Sequence, residues 1–333
     1  MTEPTSVTPS ARPSAADRPS AAWVSAAPST LGARMFVGDR FFSWLKEPVP
    51  VLRLELIRFA APLAILGFMS SRLAYADEWL GDGGFRVPDL GSADFRQPLY
   101  LPSLPGWAAW WVAAILVASG LALSLGFQAR RAAWIFAAAA AYVALSDRLA
   151  AFSVSKLAPV IAIALALSPC GARFGIDAWR RRRARPNRSL PTHVVSGSVR
   201  FFQILIPTIY CASGIAKARG DWLHMPFVLW THLHGTYQTG VTVALANLLP
   251  PFAWTLFQVM TLVLETFAPL WFSWYRVRPI AVLAAASMHA MIGLMFGPVR
   301  YFAMLMATLI VASHISSERL ERAEARLKGT LNA

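Results

Sequence analysis

A lysine at the end of an apolar stretch is the residue whose setting best suits acid–base chemistry. The stretch Tyr210–Trp222 reads YCASGIAKARGDW and closes a hydrophobic segment that starts near Arg200. About 20 apolar residues span a bilayer, so Lys217 is placed where membrane meets water. Partial desolvation there favours the free amine, which can act as a general base. The alternative is a lysine that extends to the lipid headgroups beside an interfacial Trp222.

Three further ionisable residues, Arg58, Glu265 and His289, fall within apolar segments. Such groups cost several kcal/mol in hydrocarbon unless they face a partner or a cavity, which makes them functional candidates. Glu265 and His289 fall on neighbouring antiparallel segments, so we expect them to approach each other and form a hydrogen-bonded pair. Two interpretations stay open: the three residues build a functional centre, or they lock the bundle together through internal polar contacts.

The composition indicates where these residues must act. Of the 333 residues, 56% are hydrophobic and 14% are charged, with a mean hydropathy of +0.48. A soluble domain does not need so many apolar residues for its core. The 31 Lys and Arg residues exceed the 17 Asp and Glu residues and give a formal charge of +14. Basic loops on one membrane face explain this excess without a nucleic acid partner. We therefore expect an integral, multi-pass membrane protein.

Eight apolar stretches of spanning or nearly spanning length position the polar residues. They are Leu52–Ser70, Trp107–Gly126, Ala132–Leu149, Val154–Ser168, Val199–Ala216, Phe252–Trp271, Pro279–Phe296 and Val299–Ser313. If both termini are cytoplasmic, the loops on that side carry most of the Lys and Arg residues. The sequence thus predicts an all-α bundle of about eight transmembrane helices with both termini in the cytoplasm.

The membrane domain is predicted to cover residues 49–316. Residues 1–48 combine a disordered tail rich in Pro, Ser, Thr and Ala, Met1–Leu31, with a short helix on the headgroups, Met35–Lys46. Residues 317–333 form a cytoplasmic tail.

The basic run Arg180–Arg188 falls in the largest cytoplasmic loop. It is either a topology anchor that touches anionic lipid or a specific partner site. Cys170 and Cys211 are expected at opposite depths of the bilayer, and the six histidines lack HExxH spacing. We therefore expect neither a structural disulfide nor a metal site.

Several short motifs occur one after another along the chain, and their order is informative. They are LIRF at Leu56–Phe59, SPCGARFGID at Ser168–Asp177, the stretch Tyr210–Trp222, and then Glu265, Arg278-Pro279, His289 and Phe296. As an ordered set, covering the chain from about Glu55 to His314, they resemble the horizontally transferred transmembrane (HTTM) domain family. That family includes the membrane part of vitamin K-dependent gamma-carboxylase and the bacterial sporulation-delaying protein maturation component.

The resemblance implies a role for the lysine but not the complete carboxylation machinery. Lys217 stands at the place of the carboxylase's catalytic base, which triggers oxygenation of vitamin K hydroquinone. The carboxylase has an Asn-His pair where this chain has Ser153-Val154, and neither side chain can replace a histidine in proton transfer. Ile292 also replaces a polar residue. We therefore expect no carboxylation of glutamate.

Two functional hypotheses follow. In the first, the chain is a carboxylase-like lyase or oxygenase that uses a reduced isoprenoid quinone or modifies a peptide at the outer membrane face. In the second, it is a non-catalytic accessory or maturation protein for a small exported peptide. The expected partners are membrane lipid and such a peptide, with no nucleic acid, and the bacterial relatives point to the inner (plasma) membrane. The candidate catalytic residues are Lys217 and His289, and the candidate substrate-binding or structural residues are Arg58, Tyr210, Asp221, Trp222 and Glu265.

Overall fold

The computed structural model describes residues 37–84, 101–146, 153–195, 197–235 and 237–331. The predicted disordered tail, Met1–Leu31, lies outside these residues. Within the described ranges the chain is almost entirely helical, so the predicted all-α class is confirmed. The exception is a two-stranded antiparallel ribbon of β1 (Pro48–Pro50) and β2 (His193–Val195), with Val49 opposite Val194.

The helices follow the apolar pattern of the sequence. In chain order they are α1 (Val37–Lys46), α2 (Leu52–Ala74), α3 (Ala76–Leu80), α4 (Gly106–Leu125), α5 (Ala129–Ser146), α6 (Ser153–Ala166), α7 (Ile176–Ala184), α8 (Gly197–Arg219), α9 (Asp221–His224), α10 (Val228–Leu233), α11 (Gly240–Leu248), α12 (Pro251–Thr266), α13 (Ala268–Ser273), α14 (Arg278–Met295), α15 (Arg300–His314) and α16 (Ser317–Leu331). A 3-10 turn, Gly297–Val299, leads into α15.

Each of the eight predicted stretches is helical over most of its described residues, as α2, α4, α5, α6, α8, α12 with α13, α14 and α15. In the described part of the chain, three helices, α4, α8 and α14, are long and apolar enough to cross a membrane alone. The number rises to five if two sharply bent pairs each count as one span: α11 with α12, and the helix Gly297–His314 with α16. The count of eight spans stays a prediction.

Small residues let the helices pack closely, and many large apolar side chains are exposed on the outside of the bundle. Gly120 on α4 shows this closeness, because a Cβ there would lie 2.9 Å from both Leu66 and Phe136. Trp107 and Phe252 are about 70% exposed. A bundle whose exterior is as apolar as its interior fits a lipid environment, where close packing rather than the hydrophobic effect holds helices together.

At the end of the bundle where α2 begins, buried arginine side chains bind groups at the ends of neighbouring helices. Arg53 donates hydrogen bonds of 2.9 Å to the carbonyl oxygens of Ala312 and Ser313. These carbonyls close α15, where the last helical turn leaves acceptors without partners. Arg173 pairs with Glu324 of α16 at the same end. The guanidinium groups therefore satisfy backbone and carboxylate acceptors that would otherwise be buried unpaired.

Candidate functional site

One face of α8 carries Tyr210, Gly214 and Lys217, spaced four and three residues apart, and so in line along the helix. Gly214 is where α8 meets α12. A Cβ at this position would lie 2.4 Å from the backbone nitrogen of Thr266, so only glycine permits the approach. One turn further along α8, this approach brings Lys217 beside Glu265.

Lys217 and Glu265 form an ion pair between α8 and α12. The Lys217 Nζ lies 2.5 Å from Oε1 and 2.6 Å from Oε2 of Glu265. The glutamate side chain is 8% exposed and the lysine side chain 26% exposed, so the carboxylate is enclosed while part of the lysine stays accessible. The ring of Trp222 covers another side of the ammonium, with its centroid 4.9 Å from Nζ. The amine is thus held between an anion and an aromatic face.

Tyr210 and His289 form a second polar pair, deeper in the bundle. The tyrosine hydroxyl lies 2.5 Å from His289 Nε2, and both residues are buried. The imidazole meets the rings of Tyr210 and Phe302 edge to face, at 5.8 and 5.7 Å. Its Nδ1 is buried and has no hydrogen-bond partner among the described residues. A neutral imidazole has one donor and one acceptor nitrogen, so Nδ1 retains hydrogen-bonding capacity for a ligand.

The predicted hydrogen bond between Glu265 and His289 is wrong, although both side chains are buried as expected. Glu265 pairs with Lys217, and His289 pairs through Nε2 with Tyr210. The reason is that one face of α8 presents a polar group to each of them, so neither needs the other. The sequence placed the ionisable residues inside the bundle but did not reveal that α8 contacts both α12 and α14 through this face.

Of the other residues in the Tyr210–Trp222 motif, Asp221 begins α9 with an exposed side chain. Sequence reasoning missed Gln258, which is 1% exposed on α12 and hydrogen-bonds the backbone near Trp222. The sequence did contain an indication of this residue, because a carboxamide occurs within the apolar run PFAWTLFQVMTLVLET. Gln258 lies seven residues before Glu265 and therefore on the same face of α12.

Arg58 does not belong to this cluster of side chains. Its Nε donates to Glu55 Oε2 at 2.7 Å, and its Nη1 donates to the carbonyl oxygens of Leu123 and Ser124 at 2.7 and 2.6 Å. Glu55 in turn accepts a hydrogen bond of 3.1 Å from the Arg173 backbone. These contacts tie α2 to the end of α4 and to the loop before α7, which supports the structural interpretation of Arg58.

Asp177, the last residue of the SPCGARFGID motif, has a similar role. Its carboxylate accepts hydrogen bonds of 3.0 Å from the backbone N–H groups of Gln128 and Ala129. These donors open α5, where the first turn leaves N–H groups without intrahelical partners and favours a negative charge. The motif therefore fixes the start of α5 rather than contributing to the Lys217 cluster.

We predict that the ion pair between Lys217 and Glu265 stabilises the folded protein. Lys217→Met leaves the Glu265 carboxylate enclosed without its cation, so we expect the free energy of unfolding to fall by about 1–3 kcal/mol. Lys217→Met combined with Glu265→Leu removes both charges and should recover part of that loss. Unfolding in mixed detergent micelles measures both, with Arg219→Met as an exposed control on the same helix. A double variant no more stable than Lys217→Met would contradict the coupling.

Comparison with known proteins gives one match. A model of the HTTM domain matches residues 90–315, more than half of the chain. The matched range contains Tyr210, Lys217, Glu265 and His289, whereas Arg58 precedes it. No curated protein and no solved structure matches the chain.

Proposed function

The chain belongs to the HTTM domain family, and on that premise we propose that it is a membrane enzyme in which Lys217 takes a proton from a lipid-soluble substrate. Membership makes it a helical membrane protein related to the membrane part of gamma-carboxylase. The substrate class we propose is a reduced isoprenoid quinone, a quinol whose hydroxyl gives up the proton. The multi-pass arrangement and a bacterial inner-membrane location are part of the same proposal.

The single observation that carries this proposal is the pairing of Lys217 with an enclosed carboxylate. A lysine that serves as a headgroup anchor extends to the interface and needs no buried anion from a neighbouring helix. Glu265 is 6% exposed and is the one charged residue of the largely apolar helix α12, where a carboxylate is costly unless it has a partner. The Lys217 side chain nevertheless keeps 26% of its surface exposed, which leaves one side open to a substrate.

The geometry suggests how the amine becomes a base. With Nζ 2.5 and 2.6 Å from the two carboxylate oxygens, the ammonium proton can pass to Glu265 without rearrangement. An apolar substrate that covers the open side of Lys217 displaces water, and loss of water disfavours the charged pair relative to neutral amine and carboxylic acid. The amine then accepts the quinol proton, which leaves a quinol anion beside the newly formed ammonium. O2 then oxidises that anion to the quinone: the anion gives up two electrons and its second proton, and with one proton returned from the Lys217 ammonium the O2 becomes hydrogen peroxide.

The second polar pair supports the same chemistry. The Tyr210 hydroxyl and the His289 imidazole form a hydrogen-bonded unit about two turns before Lys217 on the same side of α8. A tyrosine–histidine pair can hold or pass a proton. Where the carboxylase has its histidine, however, Val154 is fully buried in the apolar core. A glutamate peptide supplied with reduced vitamin K and labelled CO2 should therefore take up no label.

The proposal is tested by what the protein retains on purification. We expect lipid extraction from the protein in native nanodiscs, followed by mass spectrometry, to show an isoprenoid quinone enriched relative to the surrounding lipid. An unrelated multi-pass protein prepared from the same membranes is the control for bulk quinone. A quinone content equal to that control would count against a quinol site.

The proposed topology has eight spans with both termini in the cytoplasm, so that Lys217 lies toward the outer face. In a background without Cys170 and Cys211, a cysteine in place of the exposed His224 should react with an impermeant reagent in intact cells. A cysteine in place of the exposed Asn187, within the basic run Arg180–Arg188, should react only after the membrane is opened. The reverse pattern would overturn the topology.

A further inference from the structure

The Gln258 side chain uses all of its polar atoms in hydrogen bonds with the backbone of one short segment, Trp222–Leu229. Its Nε2 donates to the carbonyl oxygens of Trp222 and Met225, at 2.7 and 2.8 Å. Its Oε1 accepts a hydrogen bond of 3.0 Å from the backbone N–H of Leu229. A carboxamide has two N–H donors and one carbonyl acceptor, and every one of these groups is used within the same short segment.

The three backbone groups are those that the local helices leave without partners. Trp222 lies in the short helix α9, and Met225 follows its last residue. At the end of a helix the carbonyl groups have no intrahelical N–H donor. Leu229 is in the first turn of α10, where N–H groups lack intrahelical acceptors. One buried glutamine thus closes α9 and opens α10, and fixes the turn between them against α12.

This connection also fixes what lies over Lys217. Gln258 and Glu265 are two turns apart on one face of α12, and they hold consecutive parts of the chain: Glu265 holds Lys217, and Gln258 holds the backbone of Trp222. The Trp222 ring lies 4.9 Å from the Lys217 Nζ, and the carbonyl of the same residue is one of the groups that Gln258 holds.

We propose that Gln258 is a positioning residue that holds the segment Asp221–Leu229 against α12 and thereby keeps the Trp222 ring over Lys217. The segment then sets how much of the amine is open to a substrate. The proposal rests on the function proposed for Lys217, which it extends from the base itself to the chain that covers it. Without the carboxamide, the segment keeps the hydrogen bond from Thr255 of α12 to the Pro226 carbonyl, at 2.8 Å, but loses three others. We therefore expect it to loosen from α12 and the amine to become more exposed.

The test is Gln258→Met, which keeps side-chain length and removes all three hydrogen bonds. In nanodiscs, we expect hydrogen–deuterium exchange of peptides covering Asp221–Leu233 to become roughly tenfold faster. Acylation of Lys217 by an amine-reactive reagent, followed by mass spectrometry, should also become several-fold faster. Gln258→Glu keeps an acceptor for the Leu229 N–H but turns a second oxygen toward the carbonyl groups of Trp222 and Met225, so it should not restore the protection.

The matched control is Gln203→Met. Gln203 also donates to a backbone carbonyl, that of Ser313, at 2.6 Å. It lies on α8 about 21 Å along the helix from Lys217, given a rise of about 1.5 Å per residue. This variant should leave both readouts at Lys217 and Asp221–Leu233 unchanged. Equal effects of the two substitutions, or no effect of Gln258→Met, would overturn the proposal.

Neither readout depends on turnover. Failure of the positioning proposal is therefore distinct from failure of the proposed function, which the quinone content of the purified protein decides.

Discussion

Arg58→Met is expected to lower the free energy of unfolding by about 3–5 kcal/mol, since removing one partner of a buried ion pair leaves an uncompensated charge. Arg58 and Glu55 are each 3% exposed, so water cannot replace the lost guanidinium. The carbonyl oxygens of Leu123 and Ser124 lose their donor as well. Unfolding in mixed detergent micelles, followed by circular dichroism, measures the change.

Two further variants show whether the effect of Arg58→Met comes from the buried ion pair. Glu55→Met combined with Arg58→Met removes both charges and should recover part of the loss, but not the part caused by the two carbonyl groups. Arg131→Met is the matched control, because Arg131 is exposed on α5, and we expect a change within about 0.5 kcal/mol. If Arg58→Met were as mild as Arg131→Met, the structural role assigned to Arg58 would be wrong.

Gly214→Ala is expected to separate α8 from α12. The added Cβ would lie 2.4 Å from the Thr266 backbone nitrogen and 2.6 Å from its hydroxyl oxygen, and a backbone cannot yield as a flexible side chain does. Overpacking of this kind costs about 1–3 kcal/mol. Because Lys217 is one turn further on, the separation should also lengthen its contact with Glu265 and speed its acylation.

Gly197→Ala is the matched control for this prediction. It makes the same change at the start of the same helix, where Gly197 is exposed and an added Cβ meets nothing within 4 Å. Alanine favours the helix by up to about 1 kcal/mol over glycine, so this variant should be neutral or slightly stabilising. A Gly214→Ala protein with unchanged stability and unchanged Lys217 reactivity would show that the helices do not meet closely at this position.

The positions of the long apolar helices were predictable because the hydropathy of the sequence indicates them. Each apolar stretch became a helix, and Arg58, Glu265 and His289 were correctly assigned to the interior. The short helix expected at Met35–Lys46 begins at Val37. Such predictions depend on local composition, which any window of the sequence displays.

The partners of the buried groups were not predictable in the same way. Which polar groups meet depends on the rotation of each helix and on where two helices cross, and here a single glycine, Gly214, determines one crossing. The expected Glu265–His289 bond was wrong for that reason. Gln258 was missed because its partners are backbone groups of a segment about 30 residues away, and a sequence pattern does not show backbone hydrogen bonds over such distances.

The central claim is that Lys217 acts as a base, and Lys217→Arg tests it most directly. Arginine keeps the positive charge and the ion pair with Glu265 but remains protonated, so the variant should fold normally yet have no free base. The measurement is O2 consumption by the purified protein in nanodiscs with a reduced isoprenoid quinone, corrected for nanodiscs without protein. We predict quinol-dependent O2 consumption by the wild-type protein and none by Lys217→Arg. Equal rates for the two proteins would contradict the account and favour an accessory role in which Lys217 only anchors the helix.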